Sequence, residues 1–210
     1  MANVEMTRKE REKLMHKDAI LNASVRLFSD KGFHNVSMQD IAEESEFAVG
    51  TLYNFFQSKE QLFTELMNNC ADKIYNTLWP ILESNLRQDE KLRTFVRAYA
   101  KFAEDNIEFI RLYISEYGTL TLILPHDGHA EKIKAVIDAK ISDIIKSGIK
   151  NNIFRPVDTE IITLALLSTI RSFIFESSKE FNKAKVEQGL KKIEQLFVDT
   201  LLIPENRSNG

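Results

Sequence analysis

With 210 residues, 43% of them hydrophobic and 28% charged, the chain holds too much apolar material to remain disordered, and its length suits one large domain or two small ones. The lone cysteine, Cys70, excludes an internal disulfide framework, and the opening run MANVEMTRKEREKLMHK lacks the apolar stretch of a secretory signal, so a cytoplasmic protein is expected. A net charge of −3 argues weakly against a nucleic-acid partner. Between residues 7 and 17, however, the cations Arg8, Lys9, Arg11, Lys13 and Lys17 outnumber Glu10 and Glu12. That bias is either an ordinary solvated helix face or a basic arm.

Taken in chain order, the first helical phrase covers about 7–30, with Ile20, Leu21, Leu27 and Phe28 on one stripe, and Gly32 then Phe33 end it. Ser37 followed three residues later by Asp40 has the form of a capping box, and Ser58 with Gln61 repeats that form. The longest run, about 59–86, carries Phe63, Met67, Cys70, Ile74 and Leu78 at helical spacing. Cys70 in that setting reads as a buried structural thiol. Pro80 should kink or interrupt the run, because proline lacks the amide proton and its ring clashes with the preceding turn. Further helices are expected at about 89–104, 107–123, 130–149, 158–180 and 185–202, and LPHDG at 124–128 separates the second from the third of these. No stretch alternates like a strand between hairpin signals, so the fold class is all-α.

SMQDIAEESEFAVGTLYNFFQSKEQLF, residues 37–63, compresses two short helices and the start of a third into little chain. Two short helices crossing steeply cannot bury themselves, and residues 19–28 offer the covering face. Ile41, Ala42, Phe47, Leu52, Phe55 and Phe56 would fill the shared core, leaving Val49, Gly50, Thr51, Tyr53 and Asn54 outward. An outward face of small and neutral hydrogen-bonding groups suits entry into a major groove about 12 Å wide.

The stretch resembles the DNA-binding signature of TetR-type (tetracycline-repressor-like) transcriptional regulators. The residues that carry the resemblance are Asp40-Ile41-Ala42, Gly50-Thr51-Leu52-Tyr53, Phe56 and Ser58-Lys59-Glu60. It covers about 19–66 and implies an N-terminal three-helix helix-turn-helix domain with a C-terminal helical domain for ligand binding and dimerisation. The implied division is 1–60, 61–205 and a disordered tail at 206–210. The resemblance implies that Ser37 caps its helix and offers amides to a phosphate, that Tyr53 gives its hydroxyl to a phosphate, and that Lys59 adds a phosphate contact. Gly50 would let the backbone approach DNA closely, and Gln39, Val49 and Thr51 are the better candidates for base edges or thymine methyls, with Ala48 and Asn54 beside them. Two departures matter. Glu46 stands where the turn often has glycine, so a non-glycine residue takes positive φ or the turn differs. Ala48 and Val49 replace a serine and a polar or basic residue, which shifts readout toward apolar contacts and DNA shape. In this context Arg8, Lys9 or Arg11 becomes a candidate for phosphate tracking or a minor-groove reach.

Residues 161–175 leave almost no polar side on their helix, and a helix apolar all round must be buried all round. With the final helix (Val186, Leu190, Ile193, Phe197, Leu201) it suggests a four-helix bundle across a two-fold axis. Leu167, Ile170, Ile174, Ile193 and Phe197 are the dimerisation candidates, and the resemblance implies the same homodimer on a pseudo-palindromic DNA operator. Aromatic residues cluster in the C-terminal part. Trp79, Phe102, Phe109, Tyr113, Tyr117, Arg171 and Phe175 are candidates for lining a small-molecule effector site, with His126 possible, for a drug-like, aromatic or acyl ligand. Each taken singly reads more readily as core, and Arg171 could equally pair across the dimer. An enzyme reading has only HDGH (126–129) behind it, with no metal-ligand spacing, phosphate loop or nucleophile elbow around it; no cofactor and no metal are expected. A protein-binding helical adaptor is the other rival, supported by net acidity and the missing cation at Val49.

Overall fold

The computed structural model describes residues 6–117 and 128–204, and the chain forms two compact units, Met1–Asn68 and Asn69–Gly210. The division falls inside a helix rather than at residue 60, because that helix's first turns pack into the N-terminal unit.

In the first unit, α1 (Arg8–Lys31) starts on a capping box. Thr7 Oγ1 accepts from the Glu10 amide at 3.3 Å, and the Glu10 carboxylate accepts from the Thr7 amide at 2.8 Å. The basic segment is therefore helix from Arg8 onward, not an extended arm; Arg8, Lys9, Arg11 and Lys13 ride on exposed turns, while Lys17 is half-buried and bonds Glu65. Gly32 ends α1 with φ +80°, its N–H donating to the Phe28 carbonyl at 2.9 Å. A single 3-10 turn (Phe33–Asn35) leads to α2 (Met38–Glu44) and α3 (Val49–Phe55), and α4 (Lys59–Glu83) begins after Phe56. Ile20, Phe28, Ile41, Leu52, Phe56 and Leu62 are buried, each contributing about 1.5–3 kcal/mol of transfer free energy. Phe47 and Phe55, expected in this core, are only half-buried; Phe47 instead lies 4.9 Å from the His16 ring.

The second unit contains the rest of α4, α5 (Gln88–Asp105), α6 (Ile107–Tyr117), α7 (His129–Lys150), α8 (Thr159–Lys179) and α9 (Lys183–Glu194). Pro80 does not interrupt α4, which runs on to Glu83. In this last turn the missing proline amide deprives only the carbonyl four residues back, and the helix stops before a second turn would need repair. Cys70 is buried and burial pushes its thiol pKa up, the state of an inert structural cysteine.

Helix α8 packs on α5, α6, α7 and α9. By length and composition it could cross a bilayer, yet Leu166, Leu167 and Ile170 are buried among these helices, as in the core helix of a globular domain. Its crossing with α9 depends on Gly189, since a Cβ there would lie 1.9 Å from Phe173 Cζ. Beyond α9 the backbone widens into a π-helical turn (Gln195–Asp199), flanked by an ion cluster in which Arg93 bonds Glu194 and Asp199 while Arg97 bonds Glu194. An antiparallel bridge between Phe154 and Leu202 then ties the end of the described chain to the α7–α8 connection.

Candidate nucleic-acid interface

Helix α2 is set by local chemistry. The Ser37 amide and hydroxyl donate to Asp40 Oδ2 at 2.7 and 2.6 Å, and the Asp40 amide donates back to Ser37 Oγ at 3.1 Å. The two bonds from Ser37 hold the Asp40 carboxyl below its ordinary pKa, hydroxyl first and amide second. Ser37 thus closes the cap as expected. Gln39, exposed in the first turn of α2, donates to Glu43 one turn further along at 3.1 Å.

The turn resolves the Glu46 question: Glu46 takes φ +61°, a left-handed conformation that costs a non-glycine residue about 1 kcal/mol. The turn holds because the Phe47 amide donates to Ala42 O at 3.0 Å and Ser45 Oγ donates to Ile41 O at 2.6 Å. Helix α3 then starts at Ala48 without a side-chain cap. Leu52 is fully buried and anchors it, so the opposite side faces out: Ala48, Gly50, Tyr53 and Asn54 are exposed, Val49 and Thr51 partly so. Tyr53 keeps 53% of its surface in water, uncommon for a ring with nothing to do in the free chain. A Cβ built on Gly50 meets nothing within 4 Å, so no neighbour inside the protein requires glycine there.

Lys59, expected at a phosphate, is bonded within the free protein. Its Nζ donates to the carbonyls of Phe33 and Val36, both at 2.7 Å, and lies 4.5 Å from the Phe33 ring centroid. The ammonium is folded back into the protein, where the carbonyls and the ring face replace much of its hydration, instead of reaching outward for phosphate. The resemblance to the TetR-type signature implied the phosphate contact; it did not give the direction of the side chain.

The profile of bacterial regulatory proteins of the tetR family matches residues 20–66, and that of the tetracyclin repressor-like C-terminal domain matches residues 85–174. The chain belongs to the TetR family of transcriptional regulators. YhgD of Bacillus subtilis, an uncharacterized HTH-type transcriptional regulator, is 26% identical over 166 residues, 78% of this chain and 85% of that one. The HTH-type transcriptional repressor KstR2 of Mycolicibacterium smegmatis is 26% identical over 147 residues, 70% and 71% of the two chains. Among solved structures, KstR2 of Mycobacterium tuberculosis superposes with a TM-score of 0.71 at 20% identity, covering 89% of this chain and 95% of that one. FadR of Bacillus subtilis, in complex with stearoyl-CoA, gives 0.71 at 16% identity, covering 88% and 98%. The chain is a regulator with a helix-turn-helix, not an enzyme.

In the C-terminal unit of this TetR-family chain, the expected effector residues are placed unevenly. Trp79 is half-buried, its ring 5.2 Å from that of Tyr75 in a stacked pair with the Lys140 ammonium 5.6 Å away. Phe102 and Phe175 are buried and Phe109 is half-buried. The side chains of Tyr113 and Tyr117, and all of His126, lie outside the described residues. Arg171 does not wait for a partner subunit: it bonds Asp138 of its own chain at 2.6 Å, and Lys134 shares that carboxylate at 2.6 Å. Burial pushes the phenol pKa of Tyr99 up, against the opposing pull of the Arg171 charge. Sequence reading missed Asp138 and Lys134, although their i, i+4 spacing on α7 was a signal. His129, the second histidine of HDGH, bonds Asp72 at 2.8 Å.

The dimerisation candidates lie mostly inside the single subunit. Leu167, Ile170, Ile174 and Ile193 are buried in the subunit's own core, and Phe197 is half-buried against it. On α8 and in the turn after α9, the large apolar side chains left in water are Ile161 at 64%, Leu164 at 66% and Leu196 at 63%. The spacing 161, 164 puts two of them on one side of α8.

Proposed function

We propose that the protein is a homodimeric repressor that reads a pseudo-palindromic operator through α2 and α3 and is released by a small apolar or aromatic effector, acting in the cytoplasm. The observation that carries this reading is the outer face of α3, where exposed Gly50, Tyr53 and Asn54 sit beside partly exposed Val49 and Thr51 with no carboxylate or ammonium among them. Such a face is poor as a solvated surface and good against base edges. Ala48 and Val49 bring thymine methyls within the range of its contacts, and Gln39 and Ser37 serve the flanking bases and phosphates. The cations on the first turns of α1 supply phosphate attraction that the net charge of −3 does not.

The exposed leucines and isoleucine of α8 and of the turn after α9 support the dimer, since large apolar side chains two-thirds in water gain most by self-association. Half-site centres about 34 Å apart, or somewhat more, suit two reading heads on a two-fold axis. For the effector, Arg171, Asp138 and Tyr99 provide orienting polar groups among apolar side chains. A protein of the same fold has been solved with stearoyl-CoA, and the acyl class belongs with aromatic compounds among those to try. Helix α4 runs unbroken from Lys59 to Glu83, so it enters both units and is the natural carrier of coupling; a coupling of about 1–3 kcal/mol would change operator affinity some 5- to 150-fold. The test is a mobility shift on the DNA upstream of the protein's own coding region, repeated with aromatic and acyl compounds. Sequence-selective retardation that an effector reverses supports the reading; retardation no different from that of unrelated DNA refutes it.

A further inference from the structure

We infer that Lys59 is a positioning residue for DNA reading, an internal strut between the start of α4 and the connection that precedes α2, and not a phosphate contact. The inference rests on the DNA-reading function proposed above.

An ammonium has three donors and no acceptor. Two of those on Lys59 go to carbonyls that bracket the 33–36 segment, Phe33 and Val36, at 2.7 Å each, and the charge also lies over the Phe33 ring. The ring beneath it is itself wedged, with centroids 5.3 Å from Phe28 and 4.9 Å from Phe63, so the strut stands on packed aromatics rather than on a swinging loop. Val36 is buried and immediately precedes Ser37, whose amide and hydroxyl fasten Asp40. The positive charge of Lys59 also favours the ionised Asp40 carboxyl, after the stronger hydrogen bonds from Ser37 and the charge of Lys31. A continuous path therefore leads from the first residue of α4, through the two carbonyls, to the cap of α2, and from α2 to α3 by direct packing. Turning the ammonium out to a phosphate would take this donor from the Val36 carbonyl, leave the Phe33 carbonyl only the 3.4 Å bond from the Val36 amide, and uncover the ring. Held in place, it makes the reading helices follow the start of α4 as one body.

The test uses a duplex selected from a random pool by the parent protein, a scrambled duplex of equal length, and the full chain. K59M keeps the aliphatic stem and loses charge and donors. It should bind the selected duplex about tenfold less tightly, the loss of roughly one base contact, with scrambled-duplex affinity and salt slope unchanged. F33L leaves the lysine in place and should give the same pattern. A phosphate contact would instead weaken both duplexes together in K59M and lower its salt slope by about one, and that result would overturn the inference. Unchanged affinity for the selected duplex in K59M would overturn it too. Amine acylation of the parent protein, read by mass spectrometry, needs no variant to fold: Lys59 should label slowly with and without the duplex. Rapid labelling that the duplex suppresses would make Lys59 a DNA contact. Failure of the parent to prefer its selected duplex over the scrambled one would remove the DNA-reading function itself, and this inference with it.

Discussion

Gly50→Ala should move stability and DNA binding in opposite directions. Glycine in a helix interior costs about 0.5–1 kcal/mol relative to alanine, because it loses more backbone freedom on folding. That gain is realised only where the added methyl has room, and at Gly50 nothing in the protein lies within 4 Å of it. Helix α3 should therefore become more stable by about 0.5–1 kcal/mol, readable as a roughly two- to fivefold slowing of amide exchange in α3, a better probe than a single melting point in a chain of two units. The same open space is where DNA would sit in the proposed complex. A methyl there must push the backbone off the groove and strip contacts from Thr51 and Tyr53; loss of about 1.4 kcal/mol, or tenfold, is the expected minimum, measured by fluorescence anisotropy with a labelled operator duplex. A stabilised α3 with operator affinity unchanged or improved would refute the close approach of this backbone to DNA.

Glu46→Gly should stabilise the N-terminal unit by up to about 1 kcal/mol, the left-handed strain at φ +61° less the entropy that glycine adds to the unfolded chain, checked by amide exchange in α2 and α3. Leu164→Glu should leave the subunit folded and lower the sedimenting mass to that of one chain, because this side chain is 66% exposed in the single subunit. Leu167→Glu buries a charge and should unfold the C-terminal unit instead, which circular dichroism separates from dissociation. Bonds from Ser37 depress the Asp40 pKa, so the cap contributes stability above the unfolded value of about 3.9 and loses it as pH falls through the lower folded value. Protection of the α2 amides, taken relative to their intrinsic exchange rates, should accordingly fall in acid below about pH 4, and Asp40→Asn should abolish that step.

Features set within a few residues of chain were legible before any fold was known. The Ser37–Asp40 cap, the stop at Gly32 and the choice of positive φ posed by Glu46 depend on bonds and sterics spanning one turn, which residue type and spacing encode directly. The buried anchors Ile41 and Leu52 and the outward Gly50 and Tyr53 followed from helical periodicity, since a short amphipathic helix has one face to hide. Lys59 was different. Its position at a helix start was readable, but the destination of a four-carbon flexible stem depends on which carbonyls packing brings near, and Phe33 and Val36 are more than twenty residues away. Helix α8 shows the same limit: apolar on nearly every side, it gave no periodic hint to separate Leu167 and Ile170, buried in the subunit's core, from Ile161 and Leu164, which are exposed. Arg171 found Asp138 across two helices, and the backbone widened at Gln195–Asp199 within an apolar stripe that continued unbroken. Local chemistry chooses the helices and their ends; only the simultaneous packing of many helices decides the rotation of each about its own axis, and with it which side of the helix meets a partner.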